Sequence, residues 1–226
     1  MIFAKISGKI ATAVLLMWCL NSCAPQRFVK PLAVHQHAVN LSFGGALFDY
    51  HKTTIPMPFL TAAYGYGVEK DLTVFSAFNV TSALYGNFQL EAGATWQILH
   101  QKDYFPAISV SPIANVIYRN ADARKFYPQL AINVFREYGR RKNMVYISLD
   151  NWFETAAMRS NDVKQKNHII LMPSVGHSFV YKNWSYQTEV KIIAPNLSNE
   201  GLVIDYKTPF GKHGAFGVYV GCTRRF

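Results

Sequence analysis

The sequence predicts an all-β fold, a closed antiparallel up-and-down transmembrane β-barrel of about ten strands, within a range of eight to twelve. The first observation is residues 84–98, where Leu84, Gly86, Phe88, Leu90, Ala92, Ala94, Trp96 and Ile98 alternate with Tyr85, Asn87, Gln89, Glu91, Gly93, Thr95 and Gln97. Side chains alternate across a strand, so this period of two gives a sheet with one apolar and one polar face. At about fifteen residues the stretch is long for a soluble strand but suits a tilted membrane crossing. The second observation is composition: charged residues are 16%, against about 25% in an average soluble domain, and aromatics are 15%. Beyond the N-terminus, no apolar run approaches the roughly eighteen residues of a spanning helix. The third is rhythm. Connections are mostly long after odd-numbered strands and short after even-numbered ones, as in barrels with short turns at one end and longer loops at the other.

In chain order, residues 39–47 place Val39, Leu41, Phe43 and Leu47 on one face, and 51–58, which holds two prolines, reads as a loop. Strands 59–68 and 72–81 flank a tight turn at 69–71, and the 84–98 strand follows. The connection near Ser82 is short and breaks the alternation of lengths. A polar turn at 100–103 leads to 107–118, where Ile108, Val110, Ala114, Val116 and Tyr118 align. A charged loop, 119–125, leads to 126–135, a basic turn at 138–143, a shorter strand at 144–152 and a long polar loop at 154–166. Strand 168–181 aligns Ile169, Leu171, Val175, Phe179 and Tyr181, and Lys182-Asn183 is a two-residue hairpin turn. Strand 184–194 separates Trp184, Tyr186, Val190 and Ile192 from Ser185, Gln187, Glu189 and Lys191. Residues 195–213 form the longest connection, with room for a short extra pairing at 202–206, and 215–226 closes the chain. An even count returns both termini to one side.

Alternation alone does not say which face points outward. A soluble calycin-type barrel, carrying an apolar ligand, would show the same period with its apolar residues inside. The chemistry of the polar face favours the membrane barrel. A water-facing strand surface normally carries many Lys and Glu, whereas here the polar face holds Ser109, Ser111, Asn115, Gln129, Asn133, Ser185, Gln187 and Gly217. Such side chains suit a crowded lumen in which each must find a hydrogen bond. Glu91, Glu189, Lys191 and Arg225 are the expected lumen polar cluster, because a charge in a small barrel needs a partner. A barrel this small is filled by side chains rather than open, so a general porin is not expected.

Lys5 and Lys9 precede an apolar stretch from Ile10 to Leu20, the pattern of an export signal. The run Leu20-Asn21-Ser22-Cys23 resembles the bacterial lipoprotein signal. That resemblance implies a signal peptide over 1–22, a lipidated tether over 23–37 and a barrel over 38–226, with palmitate-class acyl chains and a diacylglyceryl thioether on Cys23. Several chains anchor far more firmly than one. Ala24 carries no acidic retention signal, consistent with onward transport to an outer membrane. Cys19 lies in the signal, so Cys222 is left alone in the mature chain, as a small hydrophobe with no intramolecular disulfide.

Phe216, Val218, Val220, Cys222 and Phe226 share one face of the last strand, which Arg224 interrupts near a snorkelling position. Phe216, Val218, Val220 and Phe226 resemble the C-terminal signal that the barrel-assembly machinery reads in outer-membrane barrels. The chain as a whole resembles the small outer-membrane β-barrel lipoproteins of Gram-negative Bacteroidota, on stretches such as Ile55-Pro-Met-Pro-Phe-Leu and Gly65-Tyr-Gly-Val-Glu-Lys-Asp-Leu-Thr. That group has largely no assigned activity, so the resemblance implies location and fold: the outer membrane, lipid-anchored on the periplasmic side.

A net charge of +10 does not imply nucleic acid, because the basic residues lie in connections rather than on a stacked aromatic platform. Arg119, Arg124, Lys125, Arg159, Lys164, Lys166, Lys207 and Lys212 would face lipopolysaccharide phosphates, and Arg140, Arg141 and Lys142 periplasmic headgroups. Tyr66, Trp96, Trp152, Trp184 and Tyr181 fall near strand ends, as an aromatic girdle requires. No cofactor is expected, and the scattered histidines and absence of a C-x-x-C give no metal signal.

A lipid A-modifying hydrolase or an outer-membrane protease would need a nucleophile with a base in reach. His177 and Ser178 are adjacent in a strand and so point to opposite faces. Ser148 and Asp150 share a face with Tyr146 but have no histidine in register, and Asp49 with His51 reads as loop solvation. The expectation is a structural or accessory membrane barrel without catalysis, contacting lipopolysaccharide or a protein partner through its loops or tether.

Overall fold

The computed structural model describes residues 28–50, 53–120, 123–157, 164–200 and 204–226. Ten long strands form one antiparallel ring: β1 (His37–Tyr50), β3 (Phe59–Glu69), β4 (Leu72–Asn79), β5 (Phe88–Leu99), β6 (Ala107–Asn120), β7 (Ala123–Tyr138), β8 (Asn143–Phe153), β9 (Ile169–Tyr181), β10 (Trp184–Ser198) and β11 (His213–Arg225). Each pairs with its sequence neighbour, and β11 returns to β1 from Ala38↔Arg225 to Ala46↔Gly217, which closes the barrel. A short β2 (Thr53–Pro56) folds back on the far end of β1, so part of the expected 51–58 loop is a hairpin arm. Closure leaves no unpaired edge around the ring.

The alternation fixes which way each side chain points. Leu41, Leu90 and Val220 stand on the outer wall, 52%, 56% and 50% exposed, whereas Asn133 and Lys191 inside are 0% and 1% exposed. Phe43, Phe88, Trp96, Val175, Phe179, Tyr186 and Val218 join the outer wall, and Ser109, Ser111, Asn115 and Ser185 are buried within. The apolar stripe therefore faces out. That is the reverse of a calycin-type barrel, whose apolar residues fill the centre.

Two sequence expectations are corrected. The alternation over 84–98 is strand only from Phe88, because residues before it turn into a short helix, α1 (Val80–Leu84). The Asn79 side chain caps α1 by accepting from the Ser82 amide at 2.9 Å, and Gly86, at φ +77°, ends it where an L side chain would be strained. Trp152 is not in the girdle: it is buried inside, beside Tyr127 and Met172. Its even number places it on the same face of β8 as Tyr146, Ser148 and Asp150, so strand parity overrides its position near the strand end. Trp96, Tyr181 and Trp184 do stand on the outer wall.

Both described ends of the chain lie at one end of the barrel, here the terminal end, with the turns at 70–71, 139–142 and 182–183. The distal end carries the longer connections. There Asp49 N–H donates to Asp205 O, Lys207 N–H to Leu47 O and Phe216 N–H to Lys207 O. These bonds stitch residues 205–207 between β1 and β11, and Phe48 bridges Tyr206 where the sequence suggested an extra pairing.

Residues 28–36, expected as part of a tether, are irregular but folded into the barrel mouth as a strap. Phe28 packs on Phe75 at 5.8 Å between ring centroids, and Val29 sits among Ala107, Phe135 and Tyr146. Leu32 N–H donates to Thr73 Oγ1 at 2.7 Å, and Ser109 Oγ donates to Val29 O at 2.6 Å. The strap therefore crosses the lumen from the β3–β4 wall to the β6–β8 wall. Gly67 lets it pass: a Cβ there would lie 2.0 Å from Ala33 O.

Candidate functional site

The interior is layered. In the middle, Tyr146, Gly176 and Glu189 occupy one row across β8, β9 and β10. Gly176 is the gap in that row, since a Cβ there would meet the Tyr146 ring at 2.2 Å. The ring lies across it, and Tyr146 Oη donates to Glu189 Oε2 at 2.7 Å. Lys191 uses the small residue Ser174 in the same way. Its Nζ reaches Asp150 Oδ2 at 2.7 Å, two strands away, and Glu189 Oε1 at 3.3 Å. Gln187 Nε2 donates to Tyr146 Oη and, at 3.4 Å, to Glu189 Oε2. The Lys191 ammonium also stands 6.0 Å from the centre of the Tyr219 ring. A buried charge persists only where such partners replace water.

Of the four charges expected in the lumen, Glu189 and Lys191 meet directly. Glu91 comes from β5, five strands round the ring from β10 and so on the opposite wall. There it accepts from Asn115 Nδ2 at 3.1 Å and from Gln89 Nε2 at 3.5 Å. Arg225 lies eight residues along β11 from Gly217, the partner of Lys191, which is about 26 Å of strand. It donates to Ser185 Oγ at 3.2 Å, at the terminal mouth. Asp150 takes the place the sequence reading gave to others. Its parity with Tyr146 and Ser148 was visible, but the spacing across β9 that brings it to Lys191 is a property of the paired sheet.

Polar pairs continue around the belt: Ser148 Oγ donates to Asn133 Oδ1 at 2.7 Å, Asn133 Nδ2 to Ser109 Oγ at 3.1 Å, and Asn40 Nδ2 to Thr223 Oγ1 at 2.8 Å. Toward the distal end the lining turns apolar. Tyr127, Trp152 and Met172 pack with Ile117, Ile170 and Ile193 on one side, and Met57, Phe59 and Ile204 with Phe48 and Tyr206 on the other. Charge belt, apolar distal layer and strap together occupy the lumen.

His177 and Ser178 point to opposite sides of the wall. Ser178 faces the lumen, while His177 on the outer wall shares a 2.6 Å hydrogen bond with the Tyr138 hydroxyl. His51 lies outside the described residues, and Asp49 accepts from Thr54 and pairs with Lys207 at 2.6 Å. The Asp49 carboxylate holds the Lys207 ammonium above its ordinary pKa by hydrogen bond and charge. Cys23 and the signal peptide expected over 1–22 also lie outside the described residues. In the C-terminal pattern, Val218, Val220 and Phe226 are exposed on the outer wall and Phe216 is half-buried. Arg224 spreads over the rings of Trp184 and Phe226, at 5.3 and 4.9 Å from their centres, as a snorkelling side chain at an interface would.

No protein-family model matches the chain, and no curated protein is similar to it in sequence. Solved structures are similar in fold. An outer-membrane channel from Pseudomonas putida F1 superposes with a TM-score of 0.50 at 9% identity, over 90% of this chain and 100% of that one. The NanC porin gives 0.47 at 6% identity, over 82% and 98%, and the KdgM porin 0.41 at 11%, over 84% and 99%. At such identities the likeness to the channel concerns the fold: a closed antiparallel barrel that spans nearly the whole of both chains.

Proposed function

We propose that this chain is an outer-membrane β-barrel lipoprotein, anchored through Cys23 on the periplasmic side, with a structural or accessory role and no catalysis. One observation carries the reading: an apolar outer wall around a polar, ion-paired interior. In water that arrangement exposes a belt of Leu, Val, Ile and Phe far larger than a soluble surface tolerates. In a bilayer the same belt meets acyl chains. The terminal end then faces the periplasm, next to the chain's proposed anchor, and the distal loops face outward. Basic residues there, among them Arg124, Lys125, Lys166 and Lys212, suit contact with lipopolysaccharide phosphates or an acidic partner surface.

The test is cell fractionation with heat-modifiable gel migration. The reading expects outer-membrane recovery, faster migration in cold SDS than after boiling, and palmitate labelling lost in Cys23→Ser. Release of unboiled protein by trimming the N-terminus alone, without detergent, would overturn it in favour of a soluble barrel. Altered lipid A masses on deleting the gene would overturn the non-catalytic part.

The fold likeness to a channel raises a second reading, a conducting pore. The occupied lumen speaks against it: the strap, the Lys191 belt and the Tyr127–Trp152 layer stand in series. Planar-bilayer recording is expected to show no steady conductance.

A further inference from the structure

The terminal mouth is not filled by the strap. Between the strap and the β9–β11 wall lies a cavity of about 690 Å³, within the size range of small-molecule sites. Its lining is basic: Lys70, Arg141, Lys142 and Arg225 border it, with the Ser185 hydroxyl as a neutral hydrogen-bonding group. The two carboxylates in the lining are already engaged. Glu137 holds Lys30 at 2.8 Å, and Asp71 accepts from the His100 ring at 2.9 Å. Among the described residues, none of Lys70, Arg141, Lys142 and Arg225 has a carboxylate within ion-pair distance; Arg141 lies over the Tyr181 ring and Arg225 donates to Ser185.

Arg141 turns onto the Tyr181 ring at the outer wall, so three cations, Lys70, Lys142 and Arg225, border the concave mouth and raise a positive potential in it. The Arg225 guanidinium adds the forked donor geometry that phosphate and carboxylate oxygens match. We infer that this mouth is a binding site for an oxyanion ligand, a small phosphate- or carboxylate-bearing molecule that enters from the terminal end. The orientation toward the periplasm rests on the membrane reading above; the site itself does not. The cavity opens inside the ring of strands rather than on the outer wall, which favours a soluble ligand over a lipid headgroup.

The experiment uses the mature protein in zwitterionic micelles at low ionic strength, titrated calorimetrically with pyrophosphate and, separately, with dihexanoyl phosphatidylglycerol against dihexanoyl phosphatidylcholine. Pyrophosphate is expected to bind, and the Arg225→Gln/Lys142→Gln variant to weaken it at least tenfold. Because Arg225 lies in the closing strand, Lys70→Gln/Lys142→Gln serves as a second variant, with a smaller loss in the same direction. Lys102→Gln/Lys182→Gln, at the same end but outside the cavity lining, is expected to leave binding within twofold. Heat-modifiable migration verifies that each variant is folded. If only phosphatidylglycerol binds, with the same dependence on Lys142, the oxyanion site stands and its source is a headgroup. If neither probe binds, or binding ignores both vestibule variants, the inference is overturned. Loss of outer-membrane recovery with binding intact would instead overturn the location.

Discussion

Replacing Lys191 with Met tests the ion-paired belt directly. The ammonium is 1% exposed and is the cation that meets Asp150 at 2.7 Å and Glu189 at 3.3 Å. Met retains most of the stem, so the packing change is small and the loss is electrostatic. Removing one partner of a buried ion pair costs about 3–5 kcal/mol, because the remaining charge stays desolvated. The assay is equilibrium urea unfolding in phospholipid vesicles, followed by tryptophan emission. Lys191→Met is expected to lose about 4 kcal/mol, and Lys191→Met/Asp150→Asn/Glu189→Gln to recover to within about 1 kcal/mol of the parent. A single variant within about 0.5 kcal/mol of the parent, the range of an ordinary surface substitution, would refute the reasoning.

Other perturbations follow from the same contacts. Gly176→Val places a side chain where the Tyr146 ring lies, 2.2 Å from its Cζ and Oη, and so breaks the bond to Glu189. It is expected to cost about 3 kcal/mol in the same unfolding assay, from overpacking and a lost charged hydrogen bond. Gly67→Val drives a side chain into the Ala33 carbonyl and is expected to release the strap without opening the barrel. Limited proteolysis would then cut within 28–36 while heat-modifiable migration persists; protection equal to the parent would count against the strap. Lys207→Met removes an exposed contact to Asp49, and an unfolding midpoint indistinguishable from the parent is expected, since such pairs are solvent-screened.

Much of the architecture was legible because strand parity is a strong code. The ten segments that alternate in sequence are the ten that close the ring, and the apolar members of 39–47 and 184–194 face outward as the polar chemistry of their partners implied. Where the reading failed, a local signal was overruled. Asn79 and Gly86 have cap and stop roles that an alternation count over 84–98 does not weigh. Trp152 was placed by its distance from a strand end rather than by its parity with Asp150.

The site was less legible. Glu189 and Lys191 are two residues apart on one strand, so their shared face was apparent. Tyr146 reaches Glu189 across β9 because Gly176 stands in register between them, while Asp150, opposite Met172, meets Lys191 on the diagonal past Ser174, and register belongs to the paired sheet. The strap was hidden for a different reason. Residues 28–36 have no period, and nothing in their composition tells a segment lying inside a barrel from one lying beside it.

The outward orientation of the apolar stripe is tested most directly by quenching from brominated acyl chains in vesicles holding the refolded mature barrel. One protein keeps Trp152 alone, with Trp96→Phe and Trp184→Phe; a second carries Leu90→Trp with all three native tryptophans of the mature chain replaced by Phe. The account predicts strong quenching at position 90, on the lipid-facing wall, and little at Trp152, inside the lumen. Quenching of Trp152 with position 90 left bright would contradict it.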